Sequence, residues 1–158
     1  PLQFAKKADI VGIVYSAHER SERMAFGMTH QQQRALSLRQ TDICGAIRRF
    51  CGDEGLYVSC LQMFLTDPTM DELNKAIQSQ SWDEAFTAAH ALKGLAGNMG
   101  FVPLMHSTGQ LVVLIRGGHI KEIAESIALV NSNYRDITDA IRDHFSQKNG
   151  EEHTHEIQ

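Results

Sequence analysis

The sequence is poor in the residues that interrupt helices or cross-link small folds. Only 3 prolines occur in 158 residues, and alternating β-branched stretches are few, so little in it opposes helix or favours strand. The 3 cysteines, Cys44, Cys51 and Cys60, are odd in number and form no C-x-x-C pair. That argues against a disulfide framework and for reduced thiols in the cytoplasm. The 8 histidines are scattered, and His153 and His155 fall in a polar tail. With no closed Cys/His set at zinc spacing, no bound metal is expected. Basic excess is also missing: the formal net charge is -4, which leaves no field to hold nucleic acid. The longest apolar runs, such as LVVLI at 111–115, are too short to span a bilayer, so this segment is expected to make no membrane contact. No charged-then-apolar leader opens the chain, and a start at Pro1 without Met reads as a piece cut from a longer protein. A glycine-rich nucleotide loop of the G-x-x-x-x-G-K-[ST] kind is lacking too, which excludes an autonomous ATP-dependent kinase of that type.

What is present is a globular balance, 42% hydrophobic and 22% charged, carried on helical spacing. Ile120, Ile123, Ala124, Ile127, Tyr134, Ile137 and Ile141 define one stripe of a long helix over 119–145. Gly117 and Gly118 separate it from a helix near 103–116 carrying Leu104, Thr108, Leu111, Val112 and Ile115. Leu56, Cys60, Met63 and Phe64 mark another helix after the Gly52-Asp53 turn. Pro68 either kinks it or starts a new one, and Leu73, Ala76 and Ile77 continue the apolar face. Ser81 with Glu84 predicts a capping box for the next helix, which Gly100 ends. Four substantial helices with short connections imply an all-α antiparallel four-helix bundle. Residues 41–146 form that bundle. Residues 1–40 form an N-terminal extension or linker with helical segments at Ile10–Ala17 and Arg34–Gln40, and 147–158 a flexible tail.

The stretch over 85–100 carries the chemistry. At about 100° per residue, Ala88, Leu92, Leu95 and Met99 cluster on one pole, with Ala85 and Ala96 beside them. His90 points away from that pole, with Lys93, Gly94 and Gly97 around it and Phe86 one turn earlier. Glycine inside a helix costs roughly 1 kcal/mol relative to alanine, so two on an outer face need a reason. Removing side chains around the imidazole lets another surface approach. Phe86 on a wet face would give such a surface an apolar contact. A neutral imidazole, with a reference pKa of about 6.5, is a competent nucleophile, and a lysine ammonium suits a phosphoryl oxygen. Asn98 either caps the helix end or orients the site. A lone helical histidine is usually an uninvolved surface residue. His106, His119 and His144 are read that way, whereas the neighbours of His90 argue otherwise.

The run from His90 through Lys93, Gly94, Gly97 and Asn98 to Gly100 resembles the signature of histidine-containing phosphotransfer (HPt) domains. The resemblance extends over about 41–145, through Phe50, Asp53, Glu54, Phe64, Leu65 and Trp82, and on to Leu104, Leu111, Arg116 and Gly117. It implies a four-helix bundle in which His90 accepts a phosphoryl group from a receiver-domain aspartate and passes it to another receiver. Lys93 would steady the group, and the partner face would comprise Phe86, Gly94, Gly97 and Asn98. Receiver domains of response regulators or hybrid histidine kinases would be the partners, with Mg²⁺ on the receiver and no cofactor here. Two positions depart from the family pattern: Val112, where many members have Glu, and Phe101, where alanine is usual. The alternatives are a docking module that binds receivers without transfer and an adaptor bundle that associates through its N-terminal helices.

Overall fold

The computed structural model describes residues 27–145. The stretch at Ile10–Ala17 and the tail from Gln147 lie outside these residues. Among the described residues seven helices follow one another: α1 (His30–Ser37), α2 (Ile43–Arg49), α3 (Glu54–Phe64), α4 (Thr69–Gln78), α5 (Trp82–Met99), α6 (Val102–Gly117) and α7 (Ile120–Phe145). No strand forms among the described residues, and one isolated antiparallel bridge joins Thr41 to Phe101. The architecture is an all-α bundle. α4 packs on α5, α5 on α6 and α6 on α7, while α3 touches both α5 and α7. α3 and α4 thus share one position, giving the expected four around the core. α1 and α2 pack against its side.

The local chemistry explains where these helices start and stop. α1 begins at a capping box: Gln32 N–H donates to Thr29 Oγ1 at 3.2 Å, and Thr29 N–H to Gln32 Oε1 at 2.8 Å. This cap moves the helix four residues ahead of its expected start at Arg34. Asp42 and Asp53 cap α2 and α3 by accepting from Gly45 and Leu56 N–H, both at 2.9 Å. Pro68 starts a new helix rather than kinking an old one, because α3 ends at Phe64 and α4 begins directly after the proline. The capping box expected at Ser81 does not form. Ser81 is the N-cap residue, yet its side chain makes no cap bond, and Ser79 Oγ donates to Ser81 Oγ at 3.1 Å instead.

Two expected stripes also shift. In α3 the buried residues are Tyr57, Leu61 and Phe64, whereas Leu56 is 49% and Met63 69% exposed. The helix is turned about one residue, which brings the Tyr57 hydroxyl to donate to the Met99 carbonyl at 2.9 Å. In α7 Ile123, Ile137 and Ile141 are buried as expected, together with Val130, while Ile120 and Ala124 are exposed. The buried line of α7 thus runs through Ile123, Val130, Ile137 and Ile141, and Ile120 and Ala124 lie off it.

Elsewhere the core matches the pattern. Ala85, Ala88, Leu92, Ala96 and Met99 of α5 are buried against Leu104, Thr108, Leu111 and Ile115 of α6. Phe101 is fully buried, its ring centroid 5.0 Å from Phe64 in an edge-on contact. Burying such a ring stabilises by roughly 2–3 kcal/mol, so this departure from the family pattern is a packing residue. α1 is tied to α7 by Gln32 Nε2 donating to the His144 carbonyl and Arg39 Nε to the Asp136 carbonyl, both 2.8 Å. A segment assigned to the extension therefore rests directly on the bundle. No described helix is long and apolar enough to cross a membrane.

Candidate functional site

α5 positions the site, and the turn that ends it fixes the neighbour. Gly100 caps α5 at φ +79°, a left-handed conformation, and the Asp42 N–H donates to its carbonyl at 2.8 Å. A Cβ on Gly100 would lie 2.5 Å from the Asp42 carbonyl oxygen, so only glycine fits. The chain reverses over Gly100 and Phe101, and α6 returns alongside α5. Residues equally far from Phe101 then face each other. Gly97 meets Met105, Lys93 meets Gly109, and Phe86 shares a cleft with Trp82, Asp83, Ile115 and Arg116.

His90 lies in the middle of α5, exposed, with the buried Ala88, Ala89 and Leu92 behind it. Neither ring nitrogen has a hydrogen-bond partner among the described residues, whose side-chain bonds all lie elsewhere. Phe86 is half-buried rather than fully wet, and its ring stacks on the imidazole with centroids 6.1 Å apart and planes 21° from parallel. Lys93 is exposed, its stem laid against α6: a Cβ on Gly109 would be 3.7 Å from Lys93 Cε. Among the described residues no carboxylate pairs with Lys93, the ion pairs being Arg39–Asp136, Arg49–Asp42 and Arg142–Asp139. An unpaired ammonium one helical turn from an exposed imidazole is available to an anion.

The two helical glycines differ in situation. A Cβ on Gly94 would meet nothing within 4 Å, so the position is open to an approaching surface. Gly97 is half-buried, and a Cβ there would come 3.3 Å from Met105 Sδ. Its missing side chain serves the close approach of α6. Asn98 is exposed, roughly 12 Å along the axis from His90, and its carbonyl accepts from Arg49 Nε at 3.1 Å. The structure thus gathers Phe86, His90, Lys93 and Gly94 into one patch and leaves Asn98 at its far end.

α6 adds residues that the sequence reading did not place at the site. Gly109 gives Lys93 its resting place, and Ile115 and Arg116 wall the cleft beside Phe86. Counting equal steps on either side of the Gly100-Phe101 turn would have found them. The same count sets Val112 level with His90, so the facing α6 side chain offers no hydrogen-bonding group. Among the described residues no three His, Cys, Asp or Glu side chains come together as metal ligands would.

The fold and patch define a class: a helical bundle that displays the exposed imidazole of His90 beside Lys93 and Gly94 on an open face. The family model described as Hpt domain matches residues 60–147, more than half of the chain, and the chain belongs to the Hpt domain family. No curated protein and no solved structure matches. Membership gives the chain a part in phosphorelay histidine phosphotransfer, in which Hpt domains interact with receiver domains.

Proposed function

We propose that the chain is the histidine phosphotransfer intermediate of a two-component phosphorelay. His90 takes a phosphoryl group from a receiver-domain aspartate and passes it to another receiver. The observation that carries this reading is the exposed, unbonded imidazole of His90, one turn from the unpaired Lys93 and the bare Gly94. In the forward step an imidazole nitrogen lone pair attacks the phosphorus of the aspartyl phosphate. A P–N bond forms as the P–O bond breaks, and the aspartate leaves as carboxylate; onward transfer runs the same step in reverse. Phosphoryl transfer asks mainly for positioning and charge stabilisation, which suits a carrier with few functional groups. Lys93 neutralises phosphoryl oxygens, Gly94 admits the receiver, and the receiver brings Mg²⁺. The domain acts in the cytoplasm, with receivers of response regulators or hybrid histidine kinases as partners.

The test is incubation with a panel of receivers charged by a small phosphodonor and Mg²⁺, alongside His90→Gln. The expected result is acid-labile, alkali-stable label on the wild type, none on the variant, and nearly equal melting of the two. Receivers that bind but never transfer, in either direction, would make the chain a docking module instead.

A further inference from the structure

In the reading of His90 as the phosphoryl carrier, its ring has to meet an incoming phosphorus in line, and the bundle must hold the imidazole plane. Catalytic histidines are commonly oriented by a hydrogen bond at the second ring nitrogen. Here that device is missing. Neither nitrogen is bonded among the described residues, and Val112, the α6 residue level with His90, offers no acceptor. The neighbours one turn away on α5 are Phe86, Thr87, Lys93 and Gly94. Gly94 has no side chain, and the Lys93 stem leans on α6 beside Gly109. The Thr87 hydroxyl is turned back, donating to the Asp83 carbonyl at 2.9 Å. Phe86 is the remaining neighbour, and its ring lies nearly parallel to the imidazole at 6.1 Å.

Phe86 is itself held. It is half-buried, packs against the core and lines the cleft formed with Trp82, Ile115 and Arg116. A ring wedged between the start of α5 and the end of α6 has little rotamer freedom left, so it can define the plane of whatever stacks on it. We infer that Phe86 is a positioning residue: its stack, anchored on α6, sets the orientation of the His90 imidazole for phosphoryl transfer. This goes beyond an apolar contact for the partner, since the effect of Phe86 runs through His90.

The inference rests on the carrier reading, and the experiment separates the two. Phe86→Leu keeps an apolar side chain for a docking partner but removes the flat ring, whereas Phe86→Tyr keeps the ring. The readouts are the NMR shifts of the His90 ring protons, receiver affinity, and the single-turnover rate of transfer at saturating receiver. Phe86→Leu is expected to move the His90 resonances away from their ring-current-shifted positions and to slow transfer about tenfold or more. Receiver affinity should change less than the rate, and Phe86→Tyr should restore both resonances and rate. Weakened affinity with unchanged His90 resonances and rate would overturn the inference and make Phe86 a docking contact. If the wild type takes phosphate from no receiver, the carrier reading fails. The inference about transfer then fails with it.

Discussion

At Gly94 folding and the proposed phosphoryl transfer make opposite demands. A glycine inside α5 costs about 1 kcal/mol relative to alanine, and a Cβ there would touch nothing within 4 Å. Stability would therefore favour a side chain at this position, while an approaching receiver favours its absence. Gly94→Ala should raise the unfolding free energy by about 1 kcal/mol in denaturant titration. A longer side chain, as in Gly94→Gln, should fold equally well yet slow phosphoryl transfer from a charged receiver. Transfer at the wild-type rate by Gly94→Gln would show that no surface comes close there. Gly97 is the contrast, because its space is taken by Met105 and an added methyl must push that flexible side chain aside.

Among the elements, the α4–α5 connection carries a stored cost that a substitution can release. Gln80 adopts φ +55°, a left-handed conformation unfavourable for a residue with a Cβ, while Ser81 N–H closes the end of α4 on the Ala76 carbonyl at 2.9 Å. Gln80→Gly should stabilise the protein by roughly 0.5–1 kcal/mol, the conformational relief exceeding the added freedom of the unfolded chain. A lower melting temperature for that variant would contradict this. The same level shows what the sequence could convey. The helices α4 to α7 were legible because their apolar periodicity and the stops at Gly100 and Gly118 agree. The α3 stripe was misread by one position because Leu56, Tyr57, Cys60, Leu61, Met63 and Phe64 offer two overlapping helical patterns. Tertiary contacts chose between them, through the Tyr57 bond to Met99 and the edge-on contact of Phe64 with Phe101. His90, Lys93 and Gly94 could be found along one helix. Gly109, Ile115 and Arg116 belong to another, and their place beside the site depends on how α6 folds back at Phe101.

For the molecule as a whole, the bundle is tied by the buried Tyr57 phenol, which donates to the Met99 carbonyl, as well as by its apolar core. Burial pushes the Tyr57 phenol far above its ordinary ionisation range, with nearby Arg49 opposing and Asp42 adding to the shift. Tyr134 is shifted the same way, first by burial and then by Asp71 and Asp67. A raised folded-state value means the stabilisation is fully present below the unfolded tyrosine value of about 10 and is lost as pH rises above it. Stability should hold up to about pH 10 with respect to these groups, and then fall by as much as about 1.4 kcal/mol per pH unit for Tyr57. Tyr57→Phe should cost about 1–3 kcal/mol at neutral pH, since the buried Met99 carbonyl loses its donor, and should flatten the alkaline decline. An equally steep decline in that variant would assign the alkaline loss to other groups.

The bundle leaves one face of α5 exposed, and in the proposed function His90 on that face bears the phosphoryl group. Phosphorus-31 NMR of the chain after charging by a phosphorylated receiver tests it most directly. A phosphoramidate resonance that is present in the wild type and missing from a folded His90→Gln variant is the predicted result. A phosphoramidate that persists in His90→Gln, or a phosphoester in its place, would contradict the account.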